Sequence, residues 1–428
     1  MRRVLFIAYL YPPIANSGTR RSLSFANHLP DFGWEPLVLT VANPAPKYCD
    51  MTLLAEIRQG THVERVPTVS RKLAEKIAAF AGSTRRDRVT DGLEWRISSL
   101  FRVPDESASW CPTAVRRGVE LHRSMGFDAV YASGSPWTSF LVARAVAART
   151  GCPYILDYRD PWRSTGTVEW DRQTAMQARF GPFLELRAGR AATAVITTTP
   201  TLVPAIREAS GAKTVYSITN GFEPSDFECD AIRPDDGLVR VAYTGVWRPG
   251  YGPDTLYRAV RRLKDEASPH LRRLRIVTAG YAPGPAAEFG IEDIVEELGR
   301  VPHLRAVQIM KTADMLYLPV SDGYYADASL PGKLFEYLGS ATPLVAAVPA
   351  GSEVARVLAD VGGSARIEPG DDAALARVLD RLCQGNAASL LSARRPERLE
   401  RYTRRSITGT LAEVLNAACS GENIELAS

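Results

Sequence analysis

Lys333 and Glu336, three residues apart in Ala328-Ser-Leu-Pro-Gly-Lys-Leu-Phe-Glu336, are the side chains of this chain whose types and spacing best suit chemistry. The stretch predicts a loop opening a short helix, and the apolar run Leu344 to Val348 predicts a buried strand behind it. Backbone N–H groups in the first turn of a helix have no internal partner and carry partial positive charge. Gly332, Lys333 and Leu334 therefore offer donors, and Lys333 an ammonium, to a diphosphate. Glu336 falls on the same helix face as Lys333. A carboxylate there suits two neighbouring sugar hydroxyls, the pair that a ribose presents. A solvated i,i+3 ion pair is the plain alternative, and this segment alone does not exclude it.

Three further loops carry candidate groups. Pro12-Pro-Ile-Ala-Asn-Ser-Gly18-Thr-Arg-Arg21 follows a predicted strand and opens a helix, a placement suited to phosphate. It is neither a G-x-G-x-x-G fingerprint nor a Walker A loop, which argues against dinucleotide redox chemistry and P-loop phosphoryl transfer. Tyr243-Thr-Gly245-Val-Trp-Arg248-Pro-Gly-Tyr251 repeats the design in the second half, where Arg248 can pair bidentately with a phosphate or else face solvent. Asp157-Tyr-Arg159-Asp160-Pro-Trp162 puts two carboxylates and a guanidinium at a strand end, to position an acceptor or to form an internal salt bridge. Ser133-Gly-Ser135 supplies hydroxyls with no base beside them, so a Ser-His-Asp hydrolase is unsupported.

The elements that position these groups alternate between short apolar runs and helical patterns, the signature of βα units around parallel sheets. Expected strands are Val4 to Tyr9, Pro36 to Thr40, Ala129 to Ala132, Tyr154 to Asp157 and Ala194 to Thr197 in the first half. Val239 to Thr244, Leu274 to Ala279, Met315 to Pro319, Leu344 to Val348 and Ala365 to Ile367 follow in the second. Between the halves, Asn220-Gly-Phe-Glu-Pro-Ser-Asp and Arg233-Pro-Asp-Asp-Gly237 are turn-rich and read as a hinge. At 428 residues the chain is long for one core. We expect a first domain over 1–222, a second over 223–398, and a helical segment over 399–428 that returns to the first, with helical period already evident from Arg395 to Ala418. Residues 68–108 break the rhythm as an insertion. Leu73, Ile77 and Phe80 recur there at helical spacing beside Arg71, Lys72 and Lys76, which suits either a helix covering its own domain or one lying on an anionic membrane.

Composition is that of an ordinary globular protein, 45% hydrophobic and 23% charged, and a net charge of +4 is too small over this length to imply nucleic acid. Six cysteines form no C-x-x-C pair and five histidines no i,i+4 pair, so no protein-held metal is expected and a reducing cytoplasm is the simplest home. The N-terminal apolar run is cut short by Tyr11-Pro-Pro and reads as a first buried strand rather than a signal peptide. No stretch approaches the ~20 apolar residues that span a bilayer.

Taken in order, these pieces resemble the retaining glycosyltransferases of family 4. The resemblance rests on Tyr11-Pro-Pro with Gly18 and Arg20-Arg21, Gly33-Trp-Glu-Pro-Leu-Val-Leu-Thr40, Asp157 to Trp162, Asn220 to Phe227, Tyr243-Thr-Gly245, Leu298-Gly-Arg-Val-Pro302, Ala313-Asp314 and Lys333-Leu-Phe-Glu336-Tyr. It implies the α/β GT-B fold, two Rossmann-like domains with parallel sheets facing a central cleft, with donor on the second and acceptor on the first. It further implies that Glu336 holds the ribose, that backbone groups at Val301 meet the base, that Arg248 and Lys333 neutralise the diphosphate, and that Gly18 lets the first-domain loop approach it. The chain departs from the family pattern at Ala328, where the first glutamate of E-x7-E would stand, at Tyr251 in place of a lysine, and at Ser133 in place of a histidine.

The expected activity is transfer of a sugar from a nucleotide diphosphate sugar to a hydroxyl acceptor with retention, in cell-envelope, polysaccharide or glycoconjugate synthesis. Arg248, Lys333, Asp157 and Asp160 are the candidate catalytic residues. Gly18, Gly245, Arg248, Val301, Gly332, Lys333, Leu334 and Glu336 are the candidate donor-binding residues. No cofactor beyond the donor and no nucleic acid are expected. The acceptor is a glycan, a lipid-linked sugar or a small metabolite, and the protein is cytoplasmic, with the 68–108 insertion leaning toward the inner face of the membrane. The alternatives are an inactive scaffold subunit and a sugar epimerase or phosphorylase on the same fold.

Overall fold

The computed structural model describes residues 1–44, 48–80, 93, 102–162, 174–245, 252–280, 286–320, 327–386, 389, 391–422 and 424–425. The chain divides into two compact units, Met1–Thr219 with Arg404–Ser428, and Asn220–Thr403.

The first unit is built on a seven-stranded sheet of β1 (Arg2–Ile7), β2 (Trp34–Val41), β3 (His62–Val66), β4 (Ala129–Gly134), β5 (Tyr154–Tyr158), β6 (Ala194–Thr197) and β7 (Val215–Ser217) in the order β3-β2-β1-β4-β5-β6-β7. Every pairing is parallel, and the register runs Val4 to Pro36 on one side of β1 and Val4 to Ala129 on the other. The central strands β4 and β5 are buried along their whole length, as helices covering both faces of a parallel sheet require. The helix Arg404–Ser420 belongs to this unit. Its Ile407, Leu411, Val414 and Leu415 pack with Val4, Phe6 and Phe25, and Trp34 Nε1 donates to Asn416 Oδ1 at 3.1 Å. Residues 395–403, expected to begin that helix, wind instead through two 3-10 turns, Pro396–Arg398 and Glu400–Tyr402.

The second unit carries a six-stranded parallel sheet of β8 (Val239–Thr244), β9 (Leu274–Ala279), β10 (Val295–Glu297), β11 (Met315–Pro319), β12 (Leu344–Ala347) and β13 (Ser364–Ile367) in the order β10-β9-β8-β11-β12-β13. Alternate side chains feed two cores. Ala242, Leu316, Leu318, Leu344 and Ala346 face one, and Val241, Tyr243, Met315, Tyr317, Val345 and Ala347 the other, the period-two pattern of a sheet covered on both sides.

In both sheets the strand order reverses beside the first strand, between β1 and β4 and between β8 and β11. Such reversals open a crevice at the carboxyl ends of the strands, where ligands of open α/β sheets collect. All ten expected strands form. A helix runs over Ala175–Gly189, and of the 68–108 insertion the helix Val69–Phe80 is described.

Candidate functional site

In the second unit, the site begins where β8 ends. Thr244 N donates to the Tyr337 hydroxyl at 2.8 Å, which ties the helix Gly332–Gly339 to the carboxyl end of the strand. Leu334, Phe335, Tyr337 and Leu338 are buried beneath that helix, so Lys333 and Glu336 are left on its other side. Pro331 caps the helix with extended backbone and no side-chain hydrogen bond, and Gly332 is exposed with open space where a Cβ would stand. Leu334 N donates back to Pro331 O at 3.0 Å, so the first-turn N–H groups left to a ligand are those of Gly332 and Lys333. Leu334, expected among the donor-binding residues, offers neither group, because its N–H is used within the turn and its side chain is wholly in the core.

Lys333 Nζ donates to the Tyr243 hydroxyl at 3.0 Å and lies 4.3 Å over the centre of the same ring. Lys333 is partly exposed as a residue, and its ammonium is buried. Desolvation lowers its pKa from 10.5 to about 8, against the opposing charge of Glu336. Gly245 borders the ammonium. A Cβ at this position would overlap Nζ and come 3.0 Å from Cε, and the backbone there sits at φ +152°. Gly245 N donates to Ala279 O at 2.7 Å, holding the loop onto the end of β9. Glu336 is half-buried, and its carboxylate accepts no hydrogen bond from a described residue. Across the end of β9, Leu298 N donates to Thr278 O and Gly280 N to Gly299 O, which fixes the backbone leading to Val301. The structure thus brings Lys333 and Gly245 together at Tyr243, with the Glu336 charge acting on the lysine. Arg248 and Tyr251 lie outside the described residues.

In the first unit the two strand-end carboxylates prove unlike. Asp157 has no exposed surface. It takes a two-pronged bond from Arg21, at 2.9 and 3.0 Å, and a 2.5 Å bond from the Tyr131 hydroxyl. Arg21 also donates to the carbonyls of Ile218 and Thr219 and stacks 4.7 Å over Phe25. Burial opposes the Arg21 charge, Asp157 more than offsets it, and the net shift is upward; the Tyr131 phenol rises through burial and then through Asp157. With its oxygens so engaged, Asp157 anchors the end of β5 and presents nothing to a substrate, contrary to the catalytic role expected of it. Asp160 instead pairs with Arg159 at 3.1 Å and keeps 31% of its side chain exposed. Arg159 crosses the first turn of the helix Ser17–His28, where any Cβ on Gly18 would overlap its guanidinium, and Asn16 Oδ1 caps that turn through Gly18 N at 3.0 Å. The guanidinium also reaches Ser135 Oγ at 3.4 Å.

Sequence reasoning quoted Tyr243, Tyr337 and Arg21 within motifs without giving them a role, and missed Tyr131. The usable signal was a hydroxyl inside an otherwise apolar element, since a buried tyrosine O–H needs a partner. Among the described residues, no group of three His, Cys, Asp or Glu side chains is placed to hold a metal ion.

Residues 18–221 match the model of the glycosyl transferase 4-like domain. No curated protein sequence matches the chain. Among solved structures, sucrose-phosphate synthase from Thermosynechococcus elongatus is similar over 99% of this chain and 100% of its own, with a TM-score of 0.66 at 15% identity. HepE of Anabaena, in complex with UDP and glucose, is similar over 97% of this chain and 100% of its own, with a TM-score of 0.63 at 17% identity. A putative UDP-N-acetylglucosamine 2-epimerase from Listeria monocytogenes is similar over 99% of both chains, with a TM-score of 0.56 at 12% identity. With two doubly wound parallel sheets in one chain, these likenesses show the GT-B fold.

Proposed function

We propose, from the match of residues 18–221 to the glycosyl transferase 4-like domain, that the chain moves a sugar from a nucleotide diphosphate sugar to a hydroxyl acceptor with retention of configuration. The observation that carries this reading is the buried Lys333 ammonium, filling the space beside Gly245, next to a carboxylate that accepts no hydrogen bond from a described residue. Lys333, with Arg248, neutralises the diphosphate, the first turn of Gly332–Gly339 adds its N–H groups, and Glu336 takes the ribose hydroxyls. Backbone near Val301 meets the base. Fixed cations and dipoles are worth most where charge develops, on the departing diphosphate. The C1–O bond to phosphate breaks as the C1–O bond to the acceptor forms on the same face, and the acceptor proton passes to the leaving phosphate. No side-chain base is needed and no metal is invoked. Asp160, partly exposed in its pair with Arg159, is the first-unit carboxylate to which we assign the orienting of an acceptor. We place the protein in the cytoplasm, in polysaccharide or glycoconjugate synthesis.

The likeness to a putative epimerase supports a second reading, chemistry on the nucleotide sugar without an acceptor, since one fold hosts both. A melting-temperature screen against UDP, GDP, ADP, TDP and their sugars, with Glu336→Ala beside it, tests the donor site, and the UDP-bound relative puts UDP first. A rise with one nucleotide family that vanishes in the variant supports the reading, and product analysis with and without hydroxyl acceptors then separates transfer from epimerisation. No rise with any ligand leaves a scaffold.

A further inference from the structure

The helix Ala175–Gly189 of the first unit turns an unusual face outward. Met176, Phe180 and Phe183 stand on successive turns and are 56%, 39% and 56% exposed. Arg187 continues the same stripe, and Arg179 borders it. Arg179 lies 5.8 Å over the ring of Phe180 and Arg187 5.9 Å over that of Phe183, so each exposed aromatic carries a cation on its rim. The one carboxylate on the helix, Glu185, is fully buried on the opposite side. The outward face is therefore apolar and basic, with no acidic residue. A lone exposed apolar residue such as Ile232 is ordinary, but three on one stripe rimmed by arginines are not.

A second, smaller patch stands on the helix Val69–Phe80, where Leu73 and Ile77, one turn apart, are 44% and 42% exposed beside Lys72 and Lys76. Both helices are tied to one short segment. Gln177 Nε2 donates to Arg102 O at 2.7 Å, and Ser70 Oγ meets Ser109 Oγ at 2.9 Å.

We propose that the outward face of Ala175–Gly189, together with the Leu73/Ile77 patch of the same unit, docks this unit on an anionic lipid surface. Aromatic and thioether side chains enter the boundary between headgroups and acyl chains, and arginines pair with lipid phosphates. Complementary charge selects this occupant, because a face of arginines without carboxylates repels a second copy of itself and attracts an anionic bilayer. No described helix is long and apolar enough to cross a membrane, so the attachment is peripheral and reversible. The surface stands independently of the sugar-transfer reading.

Cosedimentation with phosphatidylcholine vesicles, with and without phosphatidylglycerol, tests it. The full chain is expected to sediment with the mixed vesicles at low salt, to be released by salt, and to stay in solution with the neutral ones. Phe180→Asp with Phe183→Asp abolishes binding, and Arg179→Gln with Arg187→Gln weakens it about thirtyfold. Ile232→Asp on the second unit changes nothing. All variants keep their melting temperature, because the replaced side chains are exposed. Equal recovery with neutral vesicles, or binding untouched by either pair, overturns the proposal. A concentration-dependent dimer without lipid that the phenylalanine pair abolishes also overturns it, assigning the face to self-association.

Discussion

Gly245 lends Lys333 the space its ammonium occupies: with any side chain at residue 245, Nζ could not lie over the Tyr243 ring. Gly245→Ala therefore forces the lysine out and strains a backbone held at φ +152°. The strain costs about 1–3 kcal/mol, which lowers the melting temperature by a few degrees. The nucleotide-induced rise in melting temperature is expected to vanish with it. A variant that melts lower yet still responds fully to nucleotide would show that Lys333 does not hold the phosphate.

Lys333 also makes binding depend on pH. Its pKa is lowered from 10.5 to about 8, so the folded chain releases this proton before the unfolded chain does. Between those values the unfolded state binds more protons, and the ligand-free protein gains stability from this group as pH rises. A bound phosphate reverses the preference, because it favours the charged ammonium. Affinity for a nucleotide diphosphate sugar, whose phosphates are fully ionised throughout, is expected to be flat below pH 7 and to fall about tenfold between pH 7 and 9. Calorimetric titration across that range checks it, and Lys333→Met should remove both the affinity and the slope.

How much of this was visible in the chain depends on burial. The central strands announced themselves because burial on both faces demands continuous apolar runs such as Val4 to Ile7 and Leu316 to Leu318. β3, β7 and β10 did not, because edge strands are short and half-exposed, and His62, Glu64, Arg65, Glu296 and Glu297 break any apolar pattern. Lys333 and Glu336 were legible from local spacing. Tyr243 was not, since it lies 90 residues from the lysine it supports. The roles of Asp157 and Asp160, three residues apart, are distinguished by a partner 136 residues away, Arg21. Local pattern gives the candidates, and distant partners decide which of them remain available.

That difference between the carboxylates is measurable. Asp157→Asn leaves Arg21 buried without its counter-charge, which costs about 3–5 kcal/mol and lowers the melting temperature on the order of 10 °C. Asp160→Asn breaks a partly exposed pair and costs no more than about 1 kcal/mol. Any loss of transfer in the Asp160 variant should appear in kcat or in acceptor KM with melting unchanged. If Asp157→Asn melts like the parent, the anchoring role is wrong.

Glu336 should discriminate sugars. A carboxylate that takes two vicinal hydroxyls distinguishes a ribonucleotide from its 2′,3′-dideoxy analogue, and hydrogen bonds to a charged group contribute about 1.5–3 kcal/mol. The parent protein is expected to bind the ribonucleotide about tenfold to a hundredfold more tightly than the dideoxy form. Glu336→Ala brings the two affinities together by weakening the first and sparing the second. Its melting temperature without ligand stays close to the parent's, because that carboxylate accepts no hydrogen bond from a described residue. Equal affinities in the parent, or a preference that survives the substitution, would move ribose recognition elsewhere and leave Glu336 as a companion charge to Lys333.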